Sequence, residues 1–213
     1  MKKIFSILAL AMLLAAVPAH AQLDKGFHLG VKAGLNFSNM SAPEEAFEEG
    51  FLKTYTGFNA GLVFNFNLPL GFEFAPELLY VQSGFKGDAG EMFGVPLTTK
   101  YTSGSIRVPL NVRWGISLFD FIKPYVVVSP YVGAVLFGKG SVLGVDMSAD
   151  NYKDYISRFQ YGIGVGAGVY VWRFQVSFKW NWDLNPIYKK DKAATILEDN
   201  KFNGGELSLA FFF

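Results

Sequence analysis

Apolar and polar residues alternate one by one along most of this sequence, and this period of two constrains the fold more than any other feature. In the stretch FHLGVKAGLNFS, every second residue from Phe27 to Phe37 is apolar, and those between are polar or glycine. Successive side chains of a β-strand point to opposite faces, so the pattern predicts a two-faced strand. Eight segments are predicted, the fifth being apolar on both faces; the others are TGFNAGLVFNFNL, GFEFAPELLYVQSGF, SIRVPLNVRWG, PYVVVSPYVGAVLFG, FQYGIGVGAGVYV, FQVSFKWNWDL and GELSLAFFF.

The connections between these segments are long and short in turn. The short ones lie around Pro69, from Ser117 to Lys123 and at Trp172, whereas the long ones run from Asn39 to Lys53, Gly87 to Thr99, Lys139 to Ser157 and Asn185 to Asn203. Long loops at one end and tight turns at the other are typical of outer-membrane barrels, for which eight strands are allowed. We therefore predict an all-β, eight-stranded antiparallel up-and-down barrel, with both chain termini and the short turns in the periplasm.

The size of the apolar face indicates which side of the sheet faces outward. A soluble lipocalin-type barrel also has eight strands but places its apolar face inside. Here the apolar face carries about five large side chains per strand, roughly 40 in all, and the interior of an eight-stranded barrel is only just wide enough for side chains. The apolar face is therefore predicted to contact lipid, so that the barrel spans a membrane. It would close because hydrocarbon tolerates no open sheet edge.

The N-terminus predicts export. Lys2 and Lys3 precede an apolar run that ends at Val17, too short to span a bilayer as a helix, and Ala19-His20-Ala21 is a small-residue cleavage site. Residues 1–21 are thus a predicted signal peptide and residues 22–213 the barrel domain. Without Lys2 and Lys3, 17 basic residues face 18 acidic ones, so no nucleic-acid partner is indicated. There is no cysteine, so an exported chain must rely on backbone pairing and packing.

Charged residues recur on the polar face, which the lipid assignment turns inward. Four are basic and four acidic, namely Lys32, Arg107, Arg113 and Lys179 against Glu73, Glu77, Asp183 and Glu206. Buried charges need partners, so we predict a salt-bridged plug that fills the lumen. A polar pathway for a small solute or ion is the alternative. Proline cannot donate to a ladder, so a bulge at Pro76, Pro109 or Pro130 would reverse the facing beyond it.

Aromatic residues on the outward face have a predicted role at the membrane surface. Trp114, Trp180 and Trp182 are candidates for the aromatic girdles at the two lipid interfaces. Leu209, Phe211 and Phe213 fall on the lipid side of the last strand, which explains why three phenylalanines can end the chain. The membrane lipid is therefore the first predicted partner.

Catalytic, metal and cofactor sites find little support in the sequence. His28 is the one histidine after the predicted signal peptide, and it is expected to be a polar lumen residue near the periplasmic rim. The glycines of GIGVGAG alternate instead of opening a helix, which excludes a nucleotide-binding loop. They are expected to make room for bulky lumen side chains from opposite strands, such as Tyr131 or Arg113. The first long loop is acidic and could either bind a hard divalent cation or form a solvated surface. Its acidic residues are Glu44, Glu45, Glu48 and Glu49.

The strand motifs resemble those of the PorT-like outer-membrane β-barrel family of exported bacterial proteins. The resemblance is carried by GVKAGLNFS, GFNAGLVF, FEFAPELLYVQSGF, IRVPLNV, KPYVVVSPYVGAVL and YGIGVGAGV. It implies a barrel in the outer membrane of a Gram-negative-type bacterium, with no defined activity or cofactor. It also implies that the aromatic end of the last strand is read by the barrel-assembly machinery. We expect a structural or surface-interaction role through the extracellular loops; a narrow channel is the second hypothesis and a surface-lipid enzyme the third.

Overall fold

The computed structural model describes residues 26–41, 52–92, 95–118, 121–142, 145–147, 158–185 and 201–213. The predicted signal peptide and the four glutamates of the first long loop, Glu44, Glu45, Glu48 and Glu49, lie outside these residues. In this part of the chain, no helix has the length and apolarity needed to cross a membrane.

Ten strands form one sheet, and eight of them build the barrel. The two short strands are β2 (Leu52–Lys53), which pairs with β4, and β7 (Val145–Met147), which pairs with β6. The barrel strands are β1 (Phe27–Ser41), β3 (Tyr55–Asn67), β4 (Phe72–Met92), β5 (Val95–Gly115), β6 (Ile122–Val142), β8 (Phe159–Val171), β9 (Phe174–Asp183) and β10 (Lys201–Phe212).

Each barrel strand pairs antiparallel with the barrel strands that neighbour it in sequence, and the first pairs with the last. The β1–β10 ladder runs from Gly30 opposite Phe212 to Ser41 opposite Lys201, so the sheet has no open seam between its ends. The predicted closed eight-stranded up-and-down barrel is confirmed. We call the end with the short β3–β4, β5–β6 and β8–β9 connections the turn end, and the opposite end the loop end.

The alternation seen in the sequence is the alternation of the barrel wall. On β9, Val176 and Phe178 are 45% and 48% exposed on the outer surface, whereas Ser177 and Lys179 are buried in the lumen. The facing predicted from the size of the apolar side chains is therefore confirmed on this strand. Burial alternates in the same way along most of β3 and β8.

Each of the three prolines inside strands interrupts one ladder by two residue pairs without shifting the register. Between β4 and β5, Pro76 opposite Leu110 and Leu79 opposite Arg107 belong to one register, although the pairs between them are missing. The β3–β4 ladder skips the pair at Pro76 and the β5–β6 ladder the pair at Pro130. Proline lacks the N–H that each of these rungs needs. The facing assignments therefore hold on both sides of the prolines.

The predicted long loop from Gly87 to Thr99 is wrong, because β4 and β5 continue through it. Their ladder extends from Gly87 opposite Thr99 to Met92 opposite Val95, with one register shift on the way. β6 continues alongside to Val142. Strands of 21 residues are about 70 Å long, whereas a tilted membrane-spanning strand needs about 9–11 residues. We call residues 87–92 of β4, residues 95–99 of β5 and the end of β6 beside them the loop-end projection. Backbone pairing holds it together although its sequence no longer alternates between apolar and polar residues.

An apolar layer crosses the lumen toward the turn end. Val63, which breaks the alternation of β3, points inward and is fully buried beside Phe212, the middle one of the three terminal phenylalanines. The lumen is therefore not lined by polar and small residues alone, as the volume argument assumed. The members of this layer are Val63, Tyr125, Val127, Tyr170, Ala210 and Phe212.

Candidate functional site

All eight charged residues predicted for the lumen lie inside the barrel. Each is at most 7% exposed although it is ionisable, which is rare for side chains of this kind unless they are paired. The wall explains their placement: each of these residues occupies an inward position on its strand. They are Lys32, Glu73, Glu77, Arg107, Arg113, Lys179, Asp183 and Glu206.

Five of the eight form one central cluster. Lys32 Nζ lies 2.8 Å from Glu77 Oε2 and 2.6 Å from Glu206 Oε1, so it bridges two carboxylates on opposite sides of β1. Lys179 Nζ lies 3.7 Å and 3.5 Å from the same two oxygens. Arg113 Nη2 donates to Glu77 Oε1 at 3.0 Å. The central cluster (Lys32, Glu77, Arg113, Lys179 and Glu206) therefore joins β1, β4, β5, β9 and β10 across the lumen.

The remaining glutamate organises the lumen closer to the turn end. Lys123 Nζ donates to Glu73 Oε1 at 2.7 Å, and the Tyr170 hydroxyl donates to Glu73 Oε2 at 2.8 Å. The same hydroxyl accepts a hydrogen bond of 2.7 Å from Arg113 Nη1. Tyr170 therefore connects this turn-end cluster (Glu73, Lys123 and Tyr170) to the central cluster, and it also belongs to the apolar layer.

Arg107 and Asp183 stand apart toward the loop end. The distance from Arg107 Nη2 to Asp183 Oδ1 is 3.7 Å, too long for a hydrogen bond. Asp183 Oδ1 instead accepts a hydrogen bond of 2.5 Å from the Tyr131 hydroxyl. The Arg107 guanidinium carbon lies 4.5 Å from the centre of the Tyr131 ring, within the range of a cation–π contact. We call Arg107 and Asp183 the loop-end pair.

A polar cavity borders the loop-end pair. A volume of about 30 Å³, room for about two water molecules, lies among side chains of β1, β4, β5, β9 and β10. Apart from the loop-end pair and two phenylalanines, its walls are amides, hydroxyls and glycines. The polar side chains that line it are Asn36, Ser38, Ser83, Asn181 and Asn203, together with Arg107 and Asp183.

Sequence reasoning missed Lys123 and Tyr170 as lumen residues. Both lie on the inward face in phase with their neighbours, Lys123 with Tyr125 on β6 and Tyr170 with Gly168 on β8. For Lys123 the signal was hidden because β6 is apolar on both faces, so its phase cannot be read from polarity; Tyr170 continues the inward phase of the β8 glycines. Asn111, which accepts a long hydrogen bond of 3.4 Å from Lys179, was missed as well.

The alternating glycines of β8 do make room for lumen side chains. A side chain at Gly162 would collide with the Tyr131 hydroxyl, and one at Gly168 would collide with the Tyr125 hydroxyl. The prediction for Tyr131 is therefore confirmed, except that this ring comes from the neighbouring strand β6 and not from across the barrel. Arg113, the other residue predicted there, is not among the atoms nearest to these glycines.

The predicted outer aromatics lie on the outside of the barrel. Trp114 is near the turn end, Trp180 and Trp182 are near the loop end, and all three are about two-fifths exposed. Leu209 is exposed and Phe211 half-buried on the outer face of β10, and Phe213 follows that strand. This arrangement suits two girdles and an aromatic strand end, and both roles stay predictions.

His28 is the second residue of β1, at the turn end, as expected for a lumen residue near the rim. Its Nε2 is buried and has no hydrogen-bond partner in the described part of the chain. No group of three or more histidine, cysteine, aspartate or glutamate side chains that could hold a metal ion occurs within the described residues. The candidate site is thus the charged interior itself.

Comparison with known families agrees with a barrel that spans a membrane. The model of the outer membrane protein beta-barrel domain matches residues 20–189. The chain belongs to this family. The outer membrane protein beta-barrel domain accounts for the antiparallel wall and assigns the chain to the bacterial outer membrane. No curated protein sequence matches the chain.

Several solved structures are similar to this outer membrane protein beta-barrel domain. Neisserial surface protein A shares 15% identity, with a TM-score of 0.48, over 89% of this chain and all of that one. Ail, the attachment invasion locus protein of Yersinia pestis, solved with the heparin analogue sucrose octasulfate, shares 14% over 88% and 99% of the two chains, with a TM-score of 0.45. OprG from Pseudomonas aeruginosa shares 12% over 89% and 97%, with a TM-score of 0.44.

Proposed function

We propose that this protein is a closed outer-membrane barrel with a structural or surface-interaction role, acting through its loop end and not by conduction or catalysis. The observation that carries the proposal is the central cluster, in which five buried charges contact one another across the lumen. The PorT-like branch, the signal peptide at residues 1–21 and recognition of Leu209, Phe211 and Phe213 by the barrel-assembly machinery are parts of the same proposal.

The contents of the lumen favour a plug over a channel. A conducting pore needs a continuous passage in which water or polar groups of the protein coordinate the ion. Here Lys32, Glu77, Lys179 and Glu206 are at most 5% exposed and lie within 4 Å of their counter-charges. Nearer the turn end, the apolar layer adds Val63, Val127 and Phe212, which offer an ion no ligands. The charges therefore stabilise the wall by joining its strands.

Planar-bilayer recording of the purified barrel tests the plug. We expect no conductance steps from the wild type, because an ion would have to displace buried ion pairs. A barrel with Glu77→Ala and Lys179→Ala, from which two interacting side chains are removed, is the positive comparison and should leak. Steady steps from the wild type would replace the plug with the narrow channel, especially if Lys179→Ala changed the ion selectivity.

The surface role rests on the loop-end projection. The ladders β4–β5 and β5–β6 continue well past Ala134 opposite Phe159, the last pair between β6 and β8. Among the described residues, a five-stranded sheet formed by β2, β4, β5, β6 and β7 therefore extends further from the turn end than the rest of the wall. We propose that this sheet and the loops beside it are the contact surface outside the cell.

Two epitope tags test the orientation. A tag inserted after Glu45, in the first long loop, should be reached by antibody on whole cells. A tag inserted after Gln22, on the other side of β1, should be reached only after the outer membrane is broken. The reverse pattern would place the loop end in the periplasm and refute the proposed contact surface.

A trimmed barrel tests the contact role itself. Replacing residues 86–100 by a two-residue hairpin turn joins Phe85 to Tyr101, which are opposite in the ladder, and so shortens β4 and β5 without touching the central cluster. Heat-modifiable gel migration should show that the trimmed chain still folds. A partner retained from intact outer membranes by the wild type and lost by the trimmed barrel supports the role, whereas identical retention by both contradicts it.

A further inference from the structure

The loop-end pair leaves Arg107 poorly satisfied for a buried cation. Arg107 is 7% exposed, and its Nε is buried without a hydrogen-bond partner in the described part of the barrel. Its carboxylate neighbour Asp183 lies beyond hydrogen-bond distance and binds the Tyr131 hydroxyl instead. A buried guanidinium normally meets its acceptors through a planar fork of N–H groups. Arg107 therefore retains donor capacity for an acceptor outside the wall.

The balance of charge in the lumen points the same way. Among the described lumen residues in ion pairs, five are cationic and four are anionic, which leaves an excess of one positive charge. Lys123 is the cation that upsets the predicted balance of four against four. The cations are Lys32, Arg107, Arg113, Lys123 and Lys179, and the anions are Glu73, Glu77, Asp183 and Glu206.

The central cluster has little room for a further anion, whereas the loop end does. Arg113 already donates to Glu77 and to the Tyr170 hydroxyl, and Lys32 bridges two glutamates. Arg107 instead lines the loop-end cavity, whose volume of about 30 Å³ admits about two water molecules or one small polar group. The side-chain amides of Asn36 and Asn181, which line that cavity, each have an N–H that can donate a further hydrogen bond to an anion.

We propose that this cavity is a binding site for a small oxyanion, a carboxylate, sulfate or phosphate group, held by Arg107. Arg107 lines the cavity, its guanidinium makes no hydrogen bond to Asp183, and the Tyr131 ring supports one face of it. Asp183 limits the affinity, because its negative charge lies beside the same guanidinium. The site opens a role for the loop end that does not depend on conduction or on a protein partner.

Arginine side-chain signals provide a direct test. The sequence has four arginines, so a ¹⁵N-labelled chain refolded in micelles gives few Nε–H cross-peaks to resolve. Sodium sulfate, phosphate and acetate are titrated separately, with sodium chloride at equal ionic strength as the reference. We expect at least one oxyanion to shift the Arg107 cross-peak along a saturating curve with a midpoint at about 1–10 mM, which is weak binding for a single charged contact. The cross-peak is assigned by its disappearance in Arg107→Lys.

Arg113 is the matched internal control. Its Nε is also buried without a partner among the described residues, but Arg113 does not line the cavity. Its cross-peak should stay fixed throughout the titrations. If Arg113 moves together with Arg107, or if none of the three oxyanions gives a saturating shift, the site does not exist.

A second variant tests the role given to Asp183. Asp183→Asn removes the competing charge and should tighten binding of the effective anion by about tenfold, since a neighbouring like charge is lost from a partly screened site. Unchanged or weaker binding would overturn the site geometry. The three titrations also identify the class: acetate alone indicates a carboxylate ligand, and sulfate or phosphate alone indicates a tetrahedral anion.

Discussion

The central cluster and the loop-end pair are built from the same kinds of residues, yet they are different electrostatic structures. In the central cluster, Lys32 contacts two carboxylates within 2.8 Å. In the loop-end pair, one arginine faces one aspartate at 3.7 Å beside a polar cavity. Equal burial therefore does not mean equal coupling. The number and distance of its counter-charges, and whether water can reach it, decide how much stability is lost when a buried charge loses its partner.

The largest effect is expected at Glu77, which has three cationic neighbours. Glu77→Ala leaves Lys32, Lys179 and Arg113 short of a counter-charge and should lower the free energy of unfolding by about 3–5 kcal/mol. Urea titration of the barrel in lipid vesicles measures this loss. Adding Lys179→Met should restore part of it, because the two sites are coupled. A Glu77→Ala barrel as stable as the wild type would mean that the central cluster is hydrated and uncoupled.

Tyr170→Phe should have the next largest effect. The substitution removes a hydroxyl that donates to Glu73 and accepts from Arg113, and hydrogen bonds to charged groups contribute about 1.5–3 kcal/mol. We expect a loss of about 2–3 kcal/mol by the same urea titration. Tyr161→Phe, on the outer face of the same strand, is the control for the effect of the substitution on β8. Similar losses at the two tyrosines would show that the hydrogen bonds of the Tyr170 hydroxyl do not contribute to the stability of the barrel.

Arg107→Gln should cost less than either change, although Arg107 is nearly as buried. Its partner is not hydrogen-bonded to it, and the cavity can admit water to the Asp183 carboxylate. A loss of about 1 kcal/mol, the contribution of an ordinary hydrogen bond, is expected. If Arg107→Gln destabilises the barrel as much as Glu77→Ala, the distinction between the two regions fails.

The smallest effect, and the only gain, is expected at Ser129. Its side chain is fully buried, and its Oγ finds no hydrogen-bond partner within the described residues. Ser129→Ala removes that unsatisfied oxygen and should leave stability unchanged or raise it by up to about 1 kcal/mol. Ser177, which shares a 2.9 Å hydrogen bond with Ser208, is the contrast, and Ser177→Ala should be destabilising. A clear loss of stability in Ser129→Ala would reveal a partner for this hydroxyl.

The sequence predicted the wall better than the contents of the lumen. The period of two at positions such as Val176 and Ser177 depends only on the local geometry of a strand, so the facing of the strands could be read residue by residue. The neighbours Lys179 and Glu206 could also be matched, because adjacent strands bring them together. By contrast, the contact of Lys32 with Glu77 crosses from β1 to β4, which are not neighbours in the wall.

Contacts across the lumen depend on how far each strand is staggered when the barrel closes, and that stagger is a property of the whole wall. Arg107 therefore could not be assigned to Asp183 in advance, nor Lys123 to Glu73. The loop-end projection was missed for another reason. Outside the lipid no alternation is required, so β4 and β5 can pair where their sequence resembles a loop.

The line of prolines has a mechanical consequence. The residue pairs missing beside Pro76, Pro109 and Pro130 are next to one another across β3, β4, β5 and β6, so each of three ladders lacks two pairs at nearly the same level. A seam that could part would need many rungs missing along one ladder, and here each ladder remains paired on both sides of the gap. Under lateral pressure from the bilayer, the wall can bend along this line, where fewer hydrogen bonds resist bending, while the pairs on both sides keep its strands joined.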